Sequence, residues 1–146
     1  WEPWHRSEVS GRLIERGQGE ESGGLAELAY ERALASDPTN FDTLVNFANY
    51  LYVKKRNVSR AVGLYELAVI QEPNNVPTLS NYGRLLQEMG GDDAQVKQIF
   101  QRVLDLDPQN VRVLEQMAIL SLTKEKDLAK SQLYYEASLE ADERSA

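Results

Sequence analysis

From residue 41 onward the apolar positions fall at helical spacing, in stretches separated by short polar breaks. The first stretch carries Phe41, Leu44, Phe47, Ala48 and Leu51, and the next Val58, Ala61, Val62, Tyr65 and Ala68. The pattern recurs at Val76, Leu79, Tyr82, Gly83 and Leu86, then at Val96, Ile99, Phe100 and Val103. It closes with Val111, Leu114, Met117 and Ala118, followed by a weaker Leu128, Tyr135 and Leu139. Spacing of this kind predicts amphipathic helices of about three to four turns each, and nothing alternates like a strand.

The helices come in pairs. Asp37-Pro38-Thr39-Asn40, Glu72-Pro73-Asn74-Asn75 and Asp107-Pro108-Gln109-Asn110 are one turn repeated, with prolines 35 residues apart. A residue before proline avoids helical geometry, so each turn ends the second helix of a pair. Within pairs the breaks are Lys54-Lys55-Arg56-Asn57, Gly90-Gly91-Asp92-Asp93 and Lys124-Glu125-Lys126-Asp127. Gly90-Gly91 suits a helix end, and Asp92 with Gln95 reads as a capping box.

These residues resemble the tetratricopeptide repeat, a helix–turn–helix unit of about 34 residues with bulky, small and proline positions at fixed offsets. One unit supplies Leu44, Phe47, Ala48, Leu51, Ala61, Tyr65, Ala68 and Pro73. The next supplies Leu79, Tyr82, Gly83, Leu86, Val96, Phe100, Val103 and Pro108. The third has Leu114, Met117, Ala118, Ser121, Ser131, Tyr135 and Ser138, with Glu143 where proline is expected. Upstream, Ala26, Tyr30, Ala33 and Pro38 match the second helix of an earlier unit. The resemblance covers residues 25–142. It implies an all-α, right-handed α-α superhelix, a tetratricopeptide-like solenoid of about three and a half repeats. It also implies that Ala48, Gly83 and Ala118 permit close helix approach while Tyr65, Phe100 and Tyr135 fill the space between repeats. Valines at small positions of the second unit (Val96, Val103) depart from the pattern, as does the frayed last unit. The acidic balance and the Ala/Tyr/Ala/Pro pattern separate the chain from the RNA-binding pentatricopeptide repeats.

Residues 1–24 differ in character, holding five of the nine glycines, both tryptophans and the single histidine, His5. The expectation is a degenerate first helix around Val9, Leu13 and Ile14, followed by a flexible loop from Gly17 to Gly24. Residues 25–146 are then the repeat domain.

Composition narrows the function. A chain of 146 residues and 16.5 kDa is one domain's worth. Sixteen Lys and Arg against 23 Asp and Glu give −7, a poor start for nucleic acid or an anionic membrane. No run approaches the roughly 18 apolar residues of a membrane span. Without cysteine there are no disulfides, thiolate metal sites or cysteine nucleophile. One histidine leaves no material for a His-based triad or a multi-His metal site. No catalytic residue, metal or cofactor is expected. The start lacks a basic segment followed by an apolar one, which predicts a cytoplasmic protein. A first residue other than Met suggests a piece of a longer or processed chain. Lys54-Lys55-Arg56 with Arg60 reads as a solvated basic loop.

The resemblance places function on the concave surface, lined by the first helix of each pair. Asn46, Asn81 and Gln116 lie 35 residues apart there and are expected to form a ladder of amides. An amide offers both donors and an acceptor, so a ladder can grip the N–H and C=O groups of an extended peptide. Asn49, Tyr52, Arg84, Arg112 and Ile119 complete the expected peptide-binding set. The family's clamp for C-terminal carboxylates is matched at Asn49, Asn81 and Arg112, but Val45 and Gln116 stand where two of its cations belong. Charge-assisted contacts supply most of such holding power, so a free C-terminus is not required of the ligand. The expected function is a non-enzymatic protein-interaction module or scaffold. The alternative is self-association or assembly through the C-terminal end of the solenoid, using Tyr134, Tyr135 and Leu139 in a homo-oligomer.

Overall fold

The computed structural model describes the backbone of residues 11–145 and the side chains of residues 24–145. Within that range seven helices follow one another: α1 (Gly11–Ser36), α2 (Phe41–Val53), α3 (Val58–Gln71), α4 (Val76–Glu88), α5 (Asp93–Leu106), α6 (Val111–Thr123) and α7 (Leu128–Ser145). The repeated turns explain their own sequence. Asn40, Asn75 and Asn110 each precede a first helix and accept a hydrogen bond from the N–H of Thr43, Thr78 and Val113, at 3.0 to 3.1 Å. Second helices are capped the same way by Asn57, Asp92 and Asp127. Asp92 accepts from Ala94 N–H rather than Gln95, so the expected box is a simple cap. Each such cap contributes about 1 kcal/mol.

Pairs α2–α3, α4–α5 and α6–α7 pack internally, and α3 on α4 and α5 on α6 join them into a stack. The core runs through the stack: Leu44, Phe47, Ala48, Tyr65 and Ala68, then Leu79, Val96, Phe100, Val103 and Met117 are all buried. Gly83 shows why one position must be small. A Cβ there would stand 2.7 Å from Phe100 Cε1 and 3.2 Å from Ile99 Cγ2. Buried serines replace alanines in the last pair and are satisfied, Ser131 Oγ donating to Ala118 O at 2.8 Å and Ser138 Oγ to Tyr135 O at 2.7 Å.

Three expectations need correction. No loop spans Gly17 to Gly24: α1 is one helix of 26 residues through that stretch. Each glycine costs about 1 kcal/mol against alanine, but no proline between Pro3 and Pro38 removes a backbone donor, so the helix is not broken. Leu13 and Ile14 belong to this continuous helix rather than to a folded-back one, while Val9, Trp1, Trp4 and His5 lie outside the described residues. Tyr135 does not fill an inter-repeat space, for its ring is half exposed. Arg60 is not simply solvated. It bonds Glu27 at 3.2 Å and Glu31 at 2.8 Å, and its guanidinium lies 4.8 Å over the Phe47 ring, tying α1 to the first full pair. Among the described residues no helix is long and apolar enough to cross a membrane.

Replacing Gly83 by Leu should destabilise the protein by about 1–3 kcal/mol through overpacking against Phe100. Lys126 holds a left-handed φ of 58° in the loop before α7, so Lys126→Gly should stabilise by about 0.5–1 kcal/mol. Thermal denaturation checks both, and opposite signs are the expected result.

Candidate functional site

The first helices carry the expected site residues, and a side chain from the core organises them. Tyr65 of α3 has its ring buried, and its hydroxyl reaches across to α2, donating to Asn49 Oδ1. A buried tyrosine needs such a partner. On α4, Arg84 Nη2 donates to Asn81 Oδ1 at 3.3 Å. The Arg84 guanidinium lies 5.6 Å from the centre of the Tyr52 ring, and Arg56 lies 4.9 Å from the same centre. Tyr52 in turn donates its hydroxyl to Glu88 Oε2 at 2.8 Å, and Arg56 pairs with Glu88 at 3.7 Å.

Four expected residues, Asn49, Tyr52, Asn81 and Arg84, are thus brought into one polar cluster with Tyr65, Glu88 and Arg56. The others stand apart. Asn46, Arg112 and Ile119 are exposed and Gln116 is half-buried on α2 and α6, and among the described residues none of these four makes a side-chain hydrogen bond to the cluster. The amides at 46, 81 and 116 are therefore unequal: one is held by an arginine and two are not. Arg56 is a correction to the solvated-loop reading, because it is packed against Tyr52. Sequence spacing does not signal this contact, because Arg56 lies beyond the end of α2 with a positive φ of 53°. The Tyr65 hydroxyl also escaped the sequence reading, although tyrosine at a register where Phe100 has no hydroxyl hinted at a polar partner.

The cluster has a definite polarity. Asn49 accepts from Tyr65 and Asn81 from Arg84, each through its carbonyl oxygen. With Arg84 beside them, the surface is rich in donors. Burial pushes the Tyr65 hydroxyl above its ordinary pKa, partly offset by the nearby Arg84 charge and the neighbouring Asn81 amide. Burial, helped by Glu66, does the same to Tyr82. Elsewhere, a cleft of about 690 Å³ is lined by Val69, Leu79, Tyr82, Gln98, Ile99 and Arg102, among others. Arg102 is already engaged there, bonding Pro73 O at 3.1 Å and Asn74 Oδ1 at 2.7 Å. Among the described residues no three acidic, histidine or cysteine side chains are gathered as a metal would require.

Comparison with solved structures places this architecture. MamA from MSR-1 superposes with a TM-score of 0.70 at 22% identity, over 92% of this chain and 73% of that one. MamA from Desulfovibrio magneticus RS-1 gives 0.70 at 16% identity, over 90% and 71%. PilF of Pseudomonas aeruginosa gives 0.68 at 30% identity, over 88% of this chain and 58% of that one. No protein-family model matches the sequence, and no curated protein matches it significantly. These neighbours contain tetratricopeptide repeats, and the chain has that fold: an all-α, right-handed superhelix of stacked helix pairs. Proteins of this fold are typically non-enzymatic interaction scaffolds.

Tyr65→Phe should lower stability by about 0.5–1.5 kcal/mol, the net worth of a neutral hydrogen bond. A phenol whose folded pKa is raised stabilises the fold below its unfolded pKa, near 10, and loses that contribution as pH climbs through the folded value. Stability of the parent should therefore fall above about pH 10, and less steeply in Tyr65→Phe. Chemical denaturation across that pH range reads both effects.

Proposed function

We propose that the face built by α2, α4 and α6 binds an extended segment of a partner protein, and that the chain works as a non-catalytic interaction module. One observation supports the reading: the cluster of Asn49, Tyr52, Asn81 and Arg84 is held in place by the protein's own bonds, on helices of the proposed face. Side chains fixed before binding lose little entropy on it. Amide and guanidinium donors suit the carbonyl oxygens of an extended backbone and acidic side chains along it. Such a backbone rises about 3.3 Å per residue, so repeats stacked about 10 Å apart would meet every third residue. Asn46, Gln116, Arg112 and Ile119 extend the face on either side, where exposed Ile119 adds apolar contact.

A second reading, assembly through the C-terminal end, has its own support in the exposure of Tyr135 and Leu139, with Tyr134 half-buried beside them.

Selection from a displayed library of random peptides tests the first reading. It should enrich extended sequences with no requirement for a free C-terminus. The double variant Asn46→Ala with Asn81→Ala should weaken the selected peptides by about 1–3 kcal/mol in total, two lost hydrogen bonds, at a nearly unchanged melting temperature. Arg84→Glu should weaken them further. Peptides held equally by parent and all variants would move the binding surface elsewhere.

A further inference from the structure

Arg60 closes the space between α1, α2 and α3. Its guanidinium lies 4.8 Å over the Phe47 ring and bonds Glu31 at 2.8 Å and Glu27 at 3.2 Å. One repeat later the register is kept and the filling is not. Phe47 becomes Tyr82, Glu31 becomes Glu66 and Arg60 becomes Gln95, each 35 residues on. Arg60 and Gln95 are both the third residue of their helix, α3 and α5. Ring and carboxylate remain, but the long cation is replaced by a shorter, neutral amide. Gln95 and Tyr82 line the open cleft of about 690 Å³ between α3, α4 and α5.

Two groups at this cleft lack the partners that their counterparts have. Tyr82 is 7% exposed, and among the described residues its hydroxyl makes no hydrogen bond. A buried phenol ordinarily has one. Glu66 makes no ion pair among the described residues, and its charge lies close enough to the phenol to help burial raise the Tyr82 pKa. The cations at the cleft are already engaged: Arg102 bonds Pro73 O and Asn74 Oδ1, and Lys97 pairs with Glu125. Asp105, which accepts from Gln101 at 3.1 Å, adds negative charge to the rim. The unmatched surface is therefore acidic and aromatic, beside an apolar wall of Val69 and Ile99.

We propose that this cleft binds an arginine side chain of a partner protein, with the guanidinium over the Tyr82 ring and paired to Glu66, as Arg60 sits over Phe47 and Glu31. A guanidinium is planar and weakly hydrated, so it stacks on an aromatic face while pairing with a carboxylate. Its methylene stem suits the apolar wall. The counterpart of Glu27 is Val62, so one carboxylate pairs with the cation rather than two. The cleft is larger than one side chain fills, and exposed Gln98 on its rim offers an amide to the backbone that carries the arginine. This site is separate from the Asn49–Arg84 cluster and does not depend on peptide binding there.

The probes are the capped tripeptide Ala-Arg-Ala and its citrulline form, which keeps the shape and loses the charge. Titrated into the whole isotope-labelled protein, the arginine peptide should shift amide resonances of α3 and α5 and bind about tenfold tighter than the citrulline peptide. Glu66→Gln should weaken it by about the same factor. Gln95→Arg rebuilds the first space in the second: it should abolish binding and raise the melting temperature, which also shows that the variant folds. Equal binding of the two peptides overturns the proposal, as does binding unchanged in Glu66→Gln or Gln95→Arg. So does the absence of any shift in α3 and α5 at about 10 mM arginine peptide, a concentration that reveals even weak association.

Discussion

A pair of amphipathic helices has apolar surface on two sides and can bury only one of them within itself. Everything else in the stack follows from that constraint. The first helix of one pair covers the second helix of the pair before it, so Tyr65 and Phe100 disappear from solvent while Tyr135 does not. At the start of the stack the cover is α1, which meets α2 through the Tyr30–Phe47 stack and through the bonds of Arg60 to Glu27 and Glu31. Partly exposed ion pairs contribute little singly. Here two of them share Arg60, whose guanidinium also lies over the Phe47 ring that Tyr30 stacks on.

The same packing sets the candidate site. Gly83 lets the Phe100 ring come against α4, which fixes how far the first helix stands from the second. Tyr65 then joins core to surface: its ring is packed among buried side chains and its hydroxyl ends beside Asn49. Stability and surface geometry are coupled through one residue. A change that shifts the ring also shifts an amide on the outer face.

Local signals were legible in the sequence, and distant ones were not. The turns of Pro38, Pro73 and Pro108, with the asparagines two positions on, are decided by neighbours within four residues, and they fold as the pattern indicates. The apolar register of the inner helices is decided the same way. Glycine-rich composition reads as a break from Gly17 to Gly24, yet nothing there forbids helical geometry. Arg60 differs for the opposite reason: its partners are about 30 residues back, and a basic residue at the start of a helix, next to a basic loop, looks solvated until they are in place. The cluster was half legible. Spacing puts Asn49, Tyr52, Asn81 and Arg84 on first helices, but which oxygen each amide spends internally depends on side-chain geometry between repeats.

Two surfaces of opposite character result from one repeat. On the first helices, polar side chains are held by bonds such as Tyr52 to Glu88 and Arg84 to Asn81, so the proposed recognition there rests on hydrogen-bond geometry fixed in advance. Neutral hydrogen bonds contribute only about 0.5–1.5 kcal/mol each, and they favour a ligand whose groups recur at matching intervals. At the end of the stack the exposed side chains are Leu128, Tyr135 and Leu139, where affinity scales with area removed from water and geometry is less exacting. An apolar strip of that kind needs a guard against indiscriminate contact. Glu136, Glu140 and Glu143 are exposed along the same helix, where their charge would repel an acidic surface. Order inside the groove and charge around the end are two different routes to the same requirement, that a sticky surface accept few partners.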